Sequence, residues 1–190
     1  MASLFTHAFV GAAIGRGAGP VWRRDRRFWP AVVAFSILPD VDSIGFHLGI
    51  PYGALWGHRG LTHSLLFALL VGTWGAVWLD GRFQRQWKLA LVLFCVVASH
   101  GVLDAMTNGG LGVAFFSPLD TQRYFLPWRP ILVSPIGAGR FFSIWGLRIM
   151  ANEIVWIWCP TIAVLTLIKV FKSVKDAYQP TTQSLGNDQE

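Results

Sequence analysis

Charge is what this sequence has least of. Only 14% of its 190 residues are charged, against roughly 25% in a soluble domain. The shortfall excludes an ordinary solvated surface. With 53% hydrophobic residues and a mean hydropathy of +0.46, the composition is that of an integral membrane protein. Cysteine is scarce as well. Cys95 and Cys159 lie in apolar runs, where packing is their expected role. Neither a disulfide framework nor a cysteine metal site is expected from them. No Gly-x-Ser-x-Gly element is present, which argues against a soluble Ser-His-Asp hydrolase. The N-terminus lacks a positively charged region, so no cleavable signal peptide is expected. Lys and Arg exceed Asp and Glu by 16 to 10. They come in short separate clusters with no nucleic-acid motif, so the net charge of +6 is expected to record topology, with no nucleic acid as partner.

What the chain has in plenty is apolar runs, and ten Trp of the kind that gather at membrane interfaces. Leu61 to Leu79, Leu89 to Met106 and Ile154 to Phe171 are long enough to span. Leu4 to Gly15 and Phe28 to Leu38 are short. About 18 Å of helix falls short of a hydrocarbon core about 30 Å thick. These two segments either extend into their flanks and span, or form a re-entrant pair. The expected fold is all-α: a multi-pass membrane helical bundle of three clear spans plus two short N-terminal membrane segments. It would be one domain over residues 1–175, with a polar, disordered tail over 176–190.

Positive residues favour the inner side of a membrane. Three clusters satisfy that rule together: Arg16 to Arg27, then Arg82, Arg85 and Lys88, then Lys169, Lys172 and Lys175. The N-terminus is then outside and the C-terminus inside. Arg59, Arg123, Arg129, Arg140 and Arg148 fall outside, the last four either as interfacial side chains or as a lure for an anionic head group. This topology uses no His or Asp, yet it sends His7, Asp40, Asp42, His58, His63, His100 and Asp104 to one face.

Each pair among them also has a plain reading. Asp40 and Asp42 follow Pro39, which biases Leu38 away from helix. They are either turn residues or, two apart in an extended turn, adjacent carboxylates in need of a cation. His58 and His63 are interfacial or ligating, with Thr62 a candidate cap for the next helix. Arg59 between them suits a phosphate or an Asp. His100 and Asp104 are four apart on one helix face, where an intramembrane polar pair is costly unless it is bonded or functional. Ser99 and Asn108 would sit behind them. Glu153 opens the last span as a ligand, a general base or a helix N-terminal charge. Nothing singles out His47 or Asp120. Carboxylate and imidazole together suit a borderline divalent cation such as zinc or manganese.

Three motifs carry a resemblance: Leu38-Pro39-Asp40-Val41-Asp42, His58-Arg59-Gly60-Leu61-Thr62-His63-Ser64 and Ser99-His100-Gly101-Val102-Leu103-Asp104. With Thr6-His7 and Ser117-Pro118, they resemble the membrane-bound, LexA-regulated-type metal-dependent hydrolases of bacteria, small multi-pass inner-membrane proteins. A more distant similarity is to zinc-dependent phospholipase C and related nucleases. His7, Asp40 or Asp42, His63, and His100 with Asp104 fit their order of ligands. Their final His-x-x-x-Glu has no counterpart, because Ile149 precedes Glu153 by four. Set against that resemblance, the departure counts against a three-metal site and implies one or two ions, zinc first and manganese next.

The resemblance implies metal-dependent hydrolysis, which the charge topology would put at the outer membrane face. His7, Asp40, His63, His100 and Asp104 would be ligands. Asp42 would ligate or act as general base. His58 would ligate or protonate the leaving group, and Arg59 would hold an anionic oxygen. The expected partner is a membrane lipid or anionic lipid-like substrate, most simply a phosphoester. Two other classes stay open: a metal-stabilised scaffold or regulator, and a metal or proton transporter. Ligands gathered at one face, without a path across, weigh against transport.

Overall fold

The computed structural model describes residues 1–80, 86–135 and 141–178. Seven α-helices make up these residues: α1 (Leu4–Gly15), α2 (Pro20–Arg23), α3 (Phe28–Ile37), α4 (Leu65–Leu79), α5 (Gln86–Ala105), α6 (Ile144–Glu153) and α7 (Cys159–Tyr178). A π-helical turn, Ile154–Trp158, joins α6 to α7 as one helix running from Ile144 to Tyr178. There is no β-strand among the described residues, only two isolated bridges in the loop after α5.

Ser3 caps α1 by accepting from the Thr6 amide, and Ser64 caps α4 by accepting from the Phe67 amide at 3.1 Å. The cap on α4 is therefore Ser64, not Thr62. The apolar run that begins at Leu61 becomes helical only at Leu65, because Leu61–His63 forms a 3-10 turn first. Two helices are long and apolar enough to cross a membrane, Gln86–Ala105 and Ile144–Tyr178; α1 and α4 are shorter apolar helices. The last helix starts at Ile144, so Glu153 lies within it, not at its head. Leu38 keeps helical backbone angles (φ −54°, ψ −39°) despite the proline after it, and the chain tightens into 3-10 helix over Leu38–Phe46. The helix of the C-terminal segment runs on through Asp176 to Tyr178. Arg82, Arg85, Arg140 and the tail from 179 lie outside the described residues.

The core is apolar and built from three helices: Phe28, Val32 and Phe35 of α3, Ala76 of α4, and Leu89 and Leu93 of α5. Small residues let backbones touch, as in membrane helix pairs generally. A Cβ at Gly72 would sit 2.6 Å from the Phe94 amide nitrogen, so α4 and α5 meet backbone to backbone. A Cβ at Gly11 would sit 2.5 Å from the Ser36 Cβ, which sets α1 equally close to α3. Outside the core the helices are apolar too. Leu70, Trp74 and Val77 of α4, and Val164, Leu167 and Phe171 of α7, are more than half exposed. An apolar surface this large needs lipid or protein against it.

The two ends of the bundle differ. At one end the Arg27 guanidinium donates to the Leu79 carbonyl, and the Trp22 indole donates to Asp80. This end also holds Arg16 and Arg23 with Lys169 and Lys172 of α7. The other end gathers the start of α1, the end of α3, the start of α4 and the last turns of α5.

Candidate metal centre

Asp40, His63, His100 and Asp104 meet at that second end, each buried. His100 Nε2 lies 3.2 Å from Asp40 Oδ1. His63 Nε2 lies 3.8 Å from Asp40 Oδ1 and 3.6 Å from Asp104 Oδ2. A tetrahedral ion with bonds of about 2.1 Å has ligand atoms about 3.4 Å apart. These three separations are close to that spacing, and one ligand atom from each of the four residues lies within 4.8 Å of all the others.

Hydrogen bonds fix which nitrogen of each ring faces inward. The His100 Nδ1 donates to the Ser36 carbonyl at 2.8 Å. That carbonyl ends α3 just before Pro39, which brings no N–H of its own to the turn. The His63 Nδ1 lies 3.1 Å from Asp42 Oδ2 and 3.1 Å from Thr62 Oγ1. The Thr62 hydroxyl spends its proton on Asp42 at 2.6 Å, so His63 Nδ1 is the donor to whichever oxygen it meets. Both Nε2 atoms are then lone pairs aimed at carboxylate oxygens. His63 Nε2, His100 Nε2, both Asp40 oxygens and Asp104 Oδ2 are buried without a hydrogen-bond partner. Lone pair facing lone pair in a dry site is costly unless a cation lies between them. The residues fit a divalent ion.

Asp42 stands behind the centre. Its carboxylate is paired with His58 Nδ1 at 2.7 Å and accepts from the Arg59 amide at 3.0 Å as well as from Thr62. Burial opposes its charge, but the His58 and His63 hydrogen bonds hold its pKa well below the usual carboxylate range. The expectation that Asp40 and Asp42 point the same way does not hold. In a 3-10 helix, residues two apart project about 240° apart around the axis, so Asp40 enters the quartet while Asp42 anchors the loop from His58 to His63. His63 lies between the two, its Nδ1 on Asp42 and its Nε2 facing Asp40 and Asp104.

His7 stacks on His100 with ring centroids 3.6 Å apart, and its Nε2 is 3.5 Å from Asp104 Oδ1. Both of its ring nitrogens are buried without a hydrogen-bond partner, so it flanks the quartet with donors to spare. Arg59 is fully buried. Its Nε lies 3.0 Å from Asp104 Oδ2, and its two terminal nitrogens donate to the Gly109 carbonyl and the Thr107 hydroxyl. The guanidinium therefore faces protein groups. Its backbone is left-handed (φ 63°), a costly conformation for a side-chain-bearing residue, held here from both ends. Gly110 must stay bare: a Cβ there would lie 2.7 Å from the Arg59 guanidinium, and its φ of 89° suits only glycine.

Residues 1–176 match the family described as YdjM inner membrane protein. The chain belongs to that family. A relative, inner membrane protein YbcI of Escherichia coli (strain K12), is 34% identical over 170 residues, covering 88% of this chain and 97% of YbcI. No solved structure matches. Membership in this family supports a location in the inner membrane, as the resemblance implied. The words YdjM and YbcI carry speak of location and not of reaction, so any chemistry has to be read from the site.

Several residues at the site were not singled out by sequence motifs. Ser36 and Thr107 work through a backbone carbonyl and a hydroxyl, for which no pattern exists. Arg123, expected at the interface, instead donates to the carbonyls of His58, Tyr52 and Ala54, and so braces the loop carrying His58. Glu153 is wholly buried and accepts from the Ser3 amide and hydroxyl and from the Thr6 hydroxyl. It is a helix N-terminal charge, but for α1 rather than for its own helix. Ser99 and Asn108 turn away: Ser99 donates to the Val96 carbonyl, and Asn108 accepts from the Val133 amide. His47 is exposed, and Asp120 caps a local turn. Cys159 is exposed on α7 rather than packed, and neither cysteine is in a disulfide.

Proposed function

We propose that this inner-membrane protein is a metal-dependent hydrolase acting on a lipid or lipid-linked phosphoester, with Asp40, His63, His100 and Asp104 holding a divalent cation, zinc or manganese. The observation that carries this reading is the set of convergent buried donors without partners, with both imidazole tautomers set by outside hydrogen bonds. Two nitrogen and two oxygen donors suit a borderline cation. A bound cation would supply Lewis acidity toward a phosphoryl oxygen and acidify a water.

The chain's own residues would do the rest. Asp42 holds His58 by its Nδ1, which leaves Nε2 free to move a proton. The His58 ring is 5.5 Å from the His63 ring. Arg59 positions Asp104 and neutralises part of its charge, rather than reaching for substrate. Asp40, the most exposed ligand at 9%, marks the side from which water and substrate approach. Under the positive-inside rule we read the N-terminus as outside and the C-terminus as inside, with α4 and its preceding turn as a third span and the site at the outer face.

A second reading is a structural metal. Four protein donors fill a tetrahedral ion, and closed sites are structural whereas catalytic ones keep an open position. Two measurements on zinc-loaded, detergent-purified protein decide between them. X-ray absorption would count the donors. An assay with a lipid phosphomonoester such as phosphatidic acid would measure phosphate release. A fifth oxygen donor with turnover lost in His58→Ala is the expected result. Four donors and no release from any lipid phosphoester offered would establish the scaffold.

A further inference from the structure

At the opposite end of α1 from the metal centre, a cleft of about 680 Å³ opens between α1 and α7. Its floor is apolar, with Phe9, Ala13 and Ile14 facing Ile162, Leu165 and Ile168. Its mouth is basic. Arg16 and Arg23 come from the segment after α1, and Lys169 and Lys172 from the last turns of α7. No acidic residue lines it among the described residues. An apolar groove of about 360 Å³ continues from it along the helices, sharing Ala13, Ile14 and Leu165 and adding Val10, Pro160 and Val164.

The two ends of this crevice want different things. Four exposed cations around one mouth, with no acidic residue in the lining, favour an anion there. The apolar trough behind them needs hydrocarbon. α7 makes little contact with the bundle beyond its first turns, so nothing of this chain's described residues fills the space. A single molecule answers both demands: an anionic head on an acyl chain. Basic pockets between transmembrane helices have this chemistry for phospholipid head groups. The volume lies in the range of small-molecule sites.

We propose that the cleft between α1 and α7 is a binding site for an anionic phospholipid of the bilayer. The phosphate sits among Arg16, Arg23, Lys169 and Lys172, and one acyl chain lies along the groove toward Pro160. This site is separate from the metal centre and independent of whether that centre is catalytic. By the charge rule the lipid belongs to the inner leaflet.

The test uses the full-length protein in neutral detergent. Thermal unfolding is followed with added phosphatidylglycerol or phosphatidylcholine of the same chains, and native mass spectrometry counts bound lipid. Phosphatidylglycerol is expected to raise the midpoint and to stay bound, and phosphatidylcholine to do neither. The double variant Lys169→Gln/Lys172→Gln should lose most of that response while keeping zinc binding. The control Arg24→Gln/Arg26→Gln removes the same charge from exposed residues outside the cleft and should keep it. Equal responses to both lipids would mean ordinary solvation of an apolar helix, and would overturn the proposal. Equal loss in the control would reduce it to bulk attraction. A dimer by light scattering that dissociates in the Lys variant would assign the cleft to a second copy instead. Inorganic phosphate giving the same shift as the lipid would show an anion site without a lipid.

Discussion

Two clusters of ligand-type side chains lie side by side in this protein, and they share His63. One is Asp40, His63, His100 and Asp104; the other is Asp42, His58 and His63. By residue type and spacing they are equally good candidates for a metal. They differ in what their lone pairs do. In the second cluster the Asp42 carboxylate is satisfied by His58, Thr62, the Arg59 amide and His63. In the first, Asp40 has no partner on either oxygen, and both inward nitrogens are bare. A cluster of ligands becomes a site only where the donors are left over after the protein's own hydrogen bonds are made. The second cluster then braces the first: Asp42 meets His63 at Nδ1, which turns its Nε2 inward, and holds His58 by its own Nδ1.

The largest effect expected from this division is on His100. His100→Ala removes one of four donors and leaves Asp40 facing a gap. Metal content should fall from about one ion per chain to background, measured by elemental analysis of detergent-purified protein. Retention of a full equivalent would end the metal reading of the quartet.

Asp42→Asn probes the supporting cluster and should do less. The side chain keeps its shape but loses the charge that orients and polarises His63. Partners of this kind are worth roughly 10–100-fold in metal affinity. Competition with a chromophoric chelator should show a drop in that range with stoichiometry unchanged. Complete loss of the ion would make Asp42 a ligand and merge the two clusters into one.

Much of this was legible in the sequence, and the reasons are physical. In a chain this poor in charge, Asp40, His63, His100 and Asp104 stand out because an ionisable side chain beside hydrocarbon has to be compensated. The His100–Asp104 spacing placed both on one face of α5, and both enter the same buried quartet. The α1 segment was plain from its apolar run, Leu4–Gly15. What could not be read was local geometry. Pro39 pointed to an extended turn, yet the chain went on as 3-10 helix, and that alone separated the duties of Asp40 and Asp42. The role of Arg59 was open for a related reason. An arginine between two histidines suits a phosphate or a carboxylate equally well, and only packing shows that Asp104, Thr107 and Gly109 take it. The early start of the last helix at Ile144 was hidden because Gly146, Arg148 and Asn152 dilute its apolar pattern.

His58 gives the smallest expected change in metal binding and so the sharpest cut between the clusters. Its ring is held by Asp42 at Nδ1 and packed between Phe46 and Tyr52, with centroids 5.6 and 5.3 Å away. None of its atoms belongs to the unpartnered quartet. In His58→Ala, Asp42 loses one neighbour but keeps the Arg59 amide, Thr62 and His63, so His63 stays in place. Zinc affinity should change by no more than about threefold, well short of the 10–100-fold expected from a direct support such as Asp42. If the protein is a hydrolase, the same variant should lose about 10²–10⁴ in turnover, the usual contribution of a positioned acid or base. Metal retained with turnover lost would separate holding from chemistry within one loop of six residues, His58 to His63. Metal lost along with turnover would instead make His58 part of the cage, and the two clusters would have to be read as a two-metal site bridged by His63.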